Sequence, residues 1–321
     1  MTSRTLSNPS SCADPEPAQT LRVAEARQNI LERLTAIRES QRLPLRDALN
    51  RVLAADVISP VDVPGHTNSA MDGYALPGGD LPETEAKEYR VIGTAYAGVP
   101  LAMPCGPGEC VRIMTGAPMP PGTDSVVMQE QCKVINDERV QIGTGHRAGQ
   151  NVRQAGEDIA RGNQVLTSGH RLTPADIGVL ASLGIGEISL YRRPRVAFFS
   201  TGDELRSIGE TLRAGEVYDS NRYSLYGMLQ RQDVEIFDLG VVPDDPEALR
   251  QTFSSAAAIA DLVISAGGVS VGEADYTRTI LQELGQMIFW KIAMKPGRPL
   301  SFGQLGGAWF FGLPGNPVAV M

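Results

Sequence analysis

Histidine and cysteine are scarce in this chain of 321 residues, with three of the first and four of the second. His66, His146 and His170 are scattered without ligand spacing, so neither a histidine metal site nor a histidine general base is expected. Cys12, Cys105, Cys110 and Cys132 contain no CxxC pair, which fits free thiols in a reducing compartment. Cys105 and Cys110 flank a Pro/Gly turn and read as small buried apolar residues. No stretch reaches the roughly 18 uninterrupted apolar residues of a membrane span. The N-terminal MTSRTLSNPSSCADPEPAQT lacks the apolar core of a secretory signal, so the cytoplasm is the expected location. Positive charge is also in deficit. Twenty-nine Lys and Arg against 37 Asp and Glu leave a net charge of −8, which argues against general binding to nucleic acid or an anionic membrane. GxSxG, Walker A and HExxH sequences are absent.

Glycine (34) and proline (22) are plentiful and clustered, the pattern of many shaped loops. Residues 1–20, rich in Ser, Pro and acidic side chains, are expected to be disordered. Val23, Ala26, Ile30, Leu34 and Ile37 then recur at helical steps, and Leu45 to Ala54 reads as a second helical piece. Between 88 and 150, short branched runs such as EYRVIGTAYAG, GECVRIMTG and ERVQIG alternate with Gly, Pro and Asn-Asp turns, predicting a small barrel or sandwich. Thr173 is placed to cap a helix through Ser182, with Pro174 at its first position.

From Arg193 strand and helix alternate. RVAFFS, VEIFDLGVV, DLVISAGG and IFWKIAMK read as strands, with helices over about 221–231, from Asp245-Pro246 through the alanines at 256–258, and over about 276–284. That rhythm predicts a parallel sheet covered on both faces. Ligands bind beyond the carboxyl ends of such strands, so the residues just past each strand bear on function. The successive strand ends carry Thr201, Gly202, Asp203 and Glu204; Asp244 and Asp245; Ser270, Glu273 and Asp275; and Lys295 to Arg298. Alone, TGDEL or Asp244-Asp245-Pro246 is an ordinary capping turn, and Lys291 and Lys295 are solvated strand ends. Together they put hydroxyls, glycines, carboxylates and cations on one sheet edge. Gly267-Gly268 admits an anion to the backbone, lysines attract it, and carboxylates beside it call for a divalent cation. The layout predicts a nucleotide or phosphorylated ligand with Mg²⁺. Elsewhere, SAMDGYA (69–75) holds Asp72 between apolar neighbours, RIMTGAP (112–118) runs a strand into a loop, and NVRQAGEDI (151–159) carries Arg153 and Asp158.

SAMDGYA, RIMTGAPMPPGTDSVVMQE, NVRQAGEDI, VAFFSTGDEL, YDSNRYSL, ISAGGVSVGEADYT, KIAMKPGRPLSFG and GLPGNPVAV occur in that order from residue 69 to residue 320. Together they resemble the molybdopterin molybdenumtransferases, the bacterial MoeA type that is also the E domain of gephyrin. The resemblance runs from about Leu21 to Met321 and departs from the family pattern at Ala319, where serine is common. It implies an elongated split domain of helices and strands (21–62 and 159–192), an inserted β-rich domain (63–158) and a doubly wound α/β/α molybdopterin-binding domain (193–321), without the C-terminal β-barrel that the family carries. The implied activity is transfer of molybdenum from molybdate to adenylyl-molybdopterin with Mg²⁺-dependent release of AMP. By motif, Asp158, Glu204, Asp244 and Asp275 would handle the pyrophosphate region, the last three as Mg²⁺ ligands. Asp219, Asn221, Gly267, Gly268 and Ser270 would line the nucleotide pocket. Lys291, Lys295 and the Pro314–Pro317 loop would attract molybdate. Asp72, Thr115 and Arg153 would come across a homodimer interface, and other cofactor-biosynthesis proteins would be partners.

Two other readings stay open: a molybdopterin adenylyltransferase, whose α/β domain is similar, and a non-catalytic scaffold of the same fold. A lone adenylyltransferase would not need SAMDGYA or RIMTGAP. Intact carboxylates and lysines speak against a scaffold.

Overall fold

Helix α1 (Val23–Arg33) forms inside the stretch that the apolar spacing predicts but ends at Arg33, where Leu34 turns extended, so Leu34 and Ile37 lie beyond it; at its start Glu25 Oε2 accepts from the Arg22 N–H at 2.9 Å. The computed structural model describes residues 20–267 and 275–321, the side chains of Asp275 and Tyr276 excepted, so the N-terminal stretch expected to be disordered lies, up to residue 19, outside the described residues. Buried Ala26 and half-buried Ile30 pack on Phe289, Ile292 and Phe302. Helix α1 therefore belongs to a unit of Met1–Glu39 with Tyr191–Met321, whereas the sequence groups it with residues up to 62. Arg192 ties that unit together, donating to Asp261 through both terminal nitrogens at 2.6 and 2.7 Å and also bonding Glu39.

The second unit is Ser40–Leu190. It contains β1 (Ser40–Pro44), β2 (Val57–Ile58), β3 (Asn68–Ser69), β4 (Gly73–Leu76), β5 (Lys87–Ala95), β6 (Glu109–Ile113), β7 (Ser125–Met128), β8 (Cys132–Asn136), β9 (Arg139–Ile142), β10 (Val152–Arg153), β11 (Gln164–Leu166), α2 (Pro174–Ser182) and β12 (Glu187–Tyr191). Six strands form one sheet in the order β7-β4-β6-β5-β9-β8, with only β5 and β6 parallel. Alternation sends Tyr74, Leu76 and Val127 into one core cluster and Ala75, Val111 and Val126 into another, so both faces of this β-rich region are covered. A separate core collects Leu53, Val57, Leu172, Leu180, Ile188 and Leu190 from the stretches on either side of it.

Two expectations fail. Leu45–Ala54 is not a helix; a single 3₁₀ turn over Leu45–Asp47 gives way to Asn50 in the left-handed region, φ 65°. The N–H groups of Asn50, Leu53 and Ala54 donate instead to the carbonyls of Leu172, His170 and Ser189. Burying Leu53 between those segments outweighs the local helical spacing.

The other failure is in the α/β unit. Its elements are β13 (Arg195–Thr201), β14 (Leu205–Arg206), β15 (Val217–Tyr218), α3 (Ser220–Gln230), β16 (Glu235–Val242), α4 (Pro246–Ile259), β17 (Leu262–Ala266), α5 (Asp275–Leu284), β18 (Gly285–Phe289), β19 (Ser301–Leu305), β20 (Ala308–Leu313) and α6 (Pro317–Val320). The IFWKIAMK strand ends at Phe289. Beyond it the backbone of Lys291 and Ala293 bonds to Leu21, ahead of α1, in place of a sheet neighbour. The neighbour of β17 on the side away from β13 is β20, also parallel, and a turn at Gly306-Gly307 makes β19 the antiparallel partner of β20. The sheet order is β16-β13-β17-β20-β19-β18. Helices α4 and α5 cover one face, where Phe253 meets Phe199 and Phe310 edge-on at 5.2 and 5.6 Å. Helices α3 and α6 cover the other, giving the expected doubly wound architecture.

The α2 cap yields a pH-dependent prediction. Asp176 accepts from Thr173 Oγ1 (2.7 Å), His170 Nε2 (2.8 Å) and Thr173 N–H (2.8 Å), and these bonds lower its carboxyl to about 2. Because the folded value lies below the unfolded one, the stabilisation is present above about pH 4 and fades as pH falls toward 2. Asp176→Asn should cost about 1 kcal/mol at pH 7 in urea unfolding, a typical capping effect, with the difference from wild type shrinking at pH 3.

Candidate active site

Strand β13 connects outward to β16 through α3, whereas the chain leaves β17 in the opposite direction through α5. The strand order thus reverses between β13 and β17, and the crevice beyond their carboxyl ends is where such a sheet takes a ligand. Backbones pack closely there. Gly267, φ 95°, accepts no side chain because a Cβ would strike the Thr201 carbonyl oxygen, and its N–H donates to Leu313 O at 3.0 Å. Gly268 and Ser270, also expected in the pocket, lie outside the described residues.

Helix α3 brings Asp219 and Asn221 to the same edge. Asp219 caps it, Oδ1 accepting from the Arg222 N–H at 3.1 Å. Asn221 Nδ2 donates to Gly315 O at 2.7 Å and so holds the Pro314–Pro317 loop that comes after β20. Both side chains are buried, and Asp219 Oδ2 and Asn221 Oδ1 have no hydrogen-bond partner; neither do the buried hydroxyls of Thr201, Ser265, Thr277 and Ser301. Buried polar atoms are nearly always satisfied. So many orphans at one sheet end mark a place for a polar ligand or water.

The carboxylates crowd one another. The turn after β13 is not a helix cap, since it leads into β14; Asp203 Oδ1 instead accepts from the Asp244 N–H at 3.1 Å. Glu204 folds back over Gly202, where a side chain would meet its Oε2 at 2.7 Å. Desolvation raises the Asp244 carboxyl above its usual range, and the charges of Asp203 and Glu204 push the same way; the Thr201 hydroxyl beside it partly offsets them without forming a well-shaped hydrogen bond. Asp245 keeps its plain role, capping α4 through the Ala248 N–H at 2.9 Å. Asp275 opens α5, but its side chain lies outside the described residues.

Lys291 and Lys295 sit on the irregular segment between β18 and β19, beyond the same edge, and Lys295 is exposed. That segment reaches α6: a Cβ on Gly297 would lie 3.6 Å from Ala319 O. The cationic stretch and the Pro314–Pro317 loop are therefore neighbours.

The remaining predicted residues form their own cluster in the Ser40–Leu190 unit. Asp72 Oδ1 accepts from both Thr115 N–H and Thr115 Oγ1 at 2.7 Å, and these bonds, backbone first, lower its carboxyl. Arg153 pairs with Asn68 across β3 and β10, donating to Asp158 Oδ2 at 2.5 Å and to Glu157 Oε1 at 2.6 Å. Motif reading did not assign roles to Asp203 or Glu157. Asp203 could have been suspected from its place beside Glu204; its link to Asp244, forty-one positions away, has no local signal. Cys105 and Cys110 are buried as the sequence suggests, and burial pushes the Cys105 thiol up to about 11 and Cys110 to about 12; Cys12 lies outside the described residues.

A doubly wound domain with a switch-point crevice, joined to a separate β-rich unit, defines the class, and comparison with known proteins gives the family. Residues 21–184 match the MoeA N-terminal region (domain I and II), and residues 197–321 match a probable molybdopterin binding domain. A molybdopterin molybdenumtransferase of Haemophilus influenzae is 45% identical over 94% of this chain and 74% of its own length. Gephyrin of Dictyostelium discoideum is 32% identical over 93% of this chain and 47% of its own. A solved molybdopterin biosynthesis MoeA protein from Pyrococcus horikoshii superposes with a TM-score of 0.81 at 30% identity, covering 94% of this chain and 76% of its own. The chain belongs to the MoeA family of molybdopterin molybdenumtransferases.

Asp244→Asn should slightly raise the thermal midpoint at pH 7. A carboxyl whose folded pKa exceeds its unfolded one costs stability only above the unfolded value, so the gain should vanish near pH 3.5, below about 3.9. Calorimetric scans at both pH values check this.

Proposed function

We propose that this chain, as a transferase of molybdenum-cofactor biosynthesis, inserts molybdenum from molybdate into adenylyl-molybdopterin and releases AMP. The observation that carries this reading is the switch-point crevice. Close-packed backbone at Gly267, the Asn221-held loop and orphaned polar atoms converge there, with carboxylates on one flank. Asp219, Asn221 and Gly267 would receive the nucleotide. Lys291 and Lys295 would raise the local concentration of the molybdate dianion beside the Pro314–Pro317 loop. No activated nucleophile stands out among the described residues, so the protein's contribution is to position the reactants and to complement their charge.

Mg²⁺ fits the donor set. Glu204 and Asp244 offer hard oxygen ligands; desolvation raises the Asp244 carboxyl, the Asp203 and Glu204 charges add to it, and a divalent cation would offset both. An ion there would complete its coordination with water and ligand phosphates. Bound there, with Asp275 as a further ligand, it would supply charge compensation for the departing phosphate.

Asp72, Thr115, Arg153 and Asp158 would complete the site from a second copy of the chain. No helix of the described residues is long and apolar enough to cross a membrane, and we place the homodimer in the cytoplasm, working with proteins that supply adenylyl-molybdopterin and accept the product.

Two experiments test this. Asp72→Asn and Asp244→Asn chains should each lose activity in an assay of molybdate-dependent AMP release. Mixed and allowed to exchange subunits, they should recover about a quarter of the wild-type rate, because half the dimers are then hybrids with one intact site. No recovery would rule out the shared site, and fresh adenylylation of molybdopterin from ATP would favour the adenylyltransferase instead. Lys295→Ala should raise the KM for molybdate about tenfold with little change in kcat, as for a group that contributes binding alone.

A further inference from the structure

Arg222, the third residue of α3, is a cation kept almost out of water: its side chain is 12% exposed. Its Nε lies 3.8 Å from Asp219 Oδ2 on one side and 3.8 Å from Asp238 Oδ1 on the other, too far for a hydrogen bond to either. The Asp219 side chain is 1% exposed, so Arg222 is the counter-charge that makes a buried carboxylate tolerable at the head of α3. Asp238 in turn accepts from the Gly240 N–H at 3.0 Å.

Gly240 is where β16 departs from regular pairing. Phe198 pairs with Asp238 and Ser200 with Val241, so two residues of β16 oppose Phe199 alone. Gly240 adopts φ 82°, and a Cβ added to it would approach Arg222 Nη1 to 3.3 Å. The guanidinium thus lies against the bulge. The extra residue sets the phase in which β16 ends, and with it the point at which Asp244 leaves the sheet. At its other end Arg222 steadies the α3 head that carries Asn221, and Asn221 holds Gly315.

We infer that Arg222 is a positioning residue that locks the α3 N-terminus to the β16 bulge and so sets the spacing between the Asn221–Gly315 side of the crevice and its Asp244 side. It touches no reacting group. Its effect runs through Asp219 and Gly240. The inference rests on the reading of this crevice as the nucleotide site, and its test is arranged so that the two can fail separately.

The probes are AMP with Mg²⁺ in titration calorimetry, and the amide resonances of Asn221 (side chain), Gly315 and Asp244 in the full chain. Arg222→Gln should keep the wild-type circular dichroism, shift those three resonances and weaken AMP binding about tenfold, a size seen for residues that act without touching ligand; Arg222→Lys should restore part of both. Gly240→Ala, which presses on the guanidinium from the strand side, should shift the same resonances and serves if Arg222→Gln does not fold. Unmoved Asn221, Gly315 and Asp244 signals in a folded variant overturn the inference. A wild-type chain that does not bind AMP overturns the nucleotide reading, while the resonances still decide the positioning.

Discussion

Like charge gathered at the carboxyl ends of parallel strands is the constraint on which the α/β unit depends. Asp203, Glu204 and Asp244 lie close together, and the Asp244 carboxyl is raised, first by desolvation and further by the charges of the other two. A fold selected for stability alone would not keep them. Local contacts place them: Asp203 Oδ1 accepts the Asp244 N–H, Glu204 folds over the bare Cα of Gly202, and nearby the buried Asp219 is balanced by Arg222. An arrangement of this kind is what the proposed cationic, phosphate-bearing ligand complex would complete.

The same logic explains why the opposite flank is built from backbone and lysine. An oxyanion needs N–H groups and cations, and close approach of main chain requires residues without side chains. Gly267 meets that need where β17 ends, since a Cβ there would strike the Thr201 carbonyl oxygen; Gly315, after β20, lies beside it, where a Cβ would make ordinary contact with the Gly267 Cα at 3.8 Å. One side-chain amide, Asn221, keeps the two from drifting apart by gripping Gly315 O. The crevice therefore has an acidic wall and a glycine-lined wall, on either side of the strand-order reversal.

Much of this was legible in the sequence where the cause is local. Thr173 and Pro174 start α2 as read, because a cap and a fixed φ act within one turn. Asp245-Pro246 starts α4 for the same reason. The strand-end residues were recognisable because alternating strands and helices leave the carboxyl ends on one edge whatever the pairing order. What failed was non-local. Leu45–Ala54 has helical spacing, yet its backbone hydrogen bonds go to residues 170–172 and 189. The lysine segment looks like a strand, yet Leu21 takes its backbone groups. The hairpin at Gly306-Gly307 turned what reads as a fourth parallel strand into an edge pair with an irregular lead-in.

That irregular lead-in has a consequence for charge. Had IFWKIAMK continued as a strand, Lys291 and Lys295, four positions apart, would point to the same side of the sheet and be fixed by its pleat. Released from the ladder, they sit on a loop that abuts α6 through Gly297 and Ala319, and Lys295 stays in solvent. A solvated lysine costs little to keep charged and can reorient, which suits capture of a small, strongly hydrated dianion better than a rigid buried cation would. On the carboxylate wall Asp203 Oδ1 is fixed by the Asp244 N–H and Glu204 packs over Gly202, whereas Lys295 on the other wall is exposed. The division matches the work proposed for each: one must hold a defined geometry around phosphate, and the other must only draw an anion in.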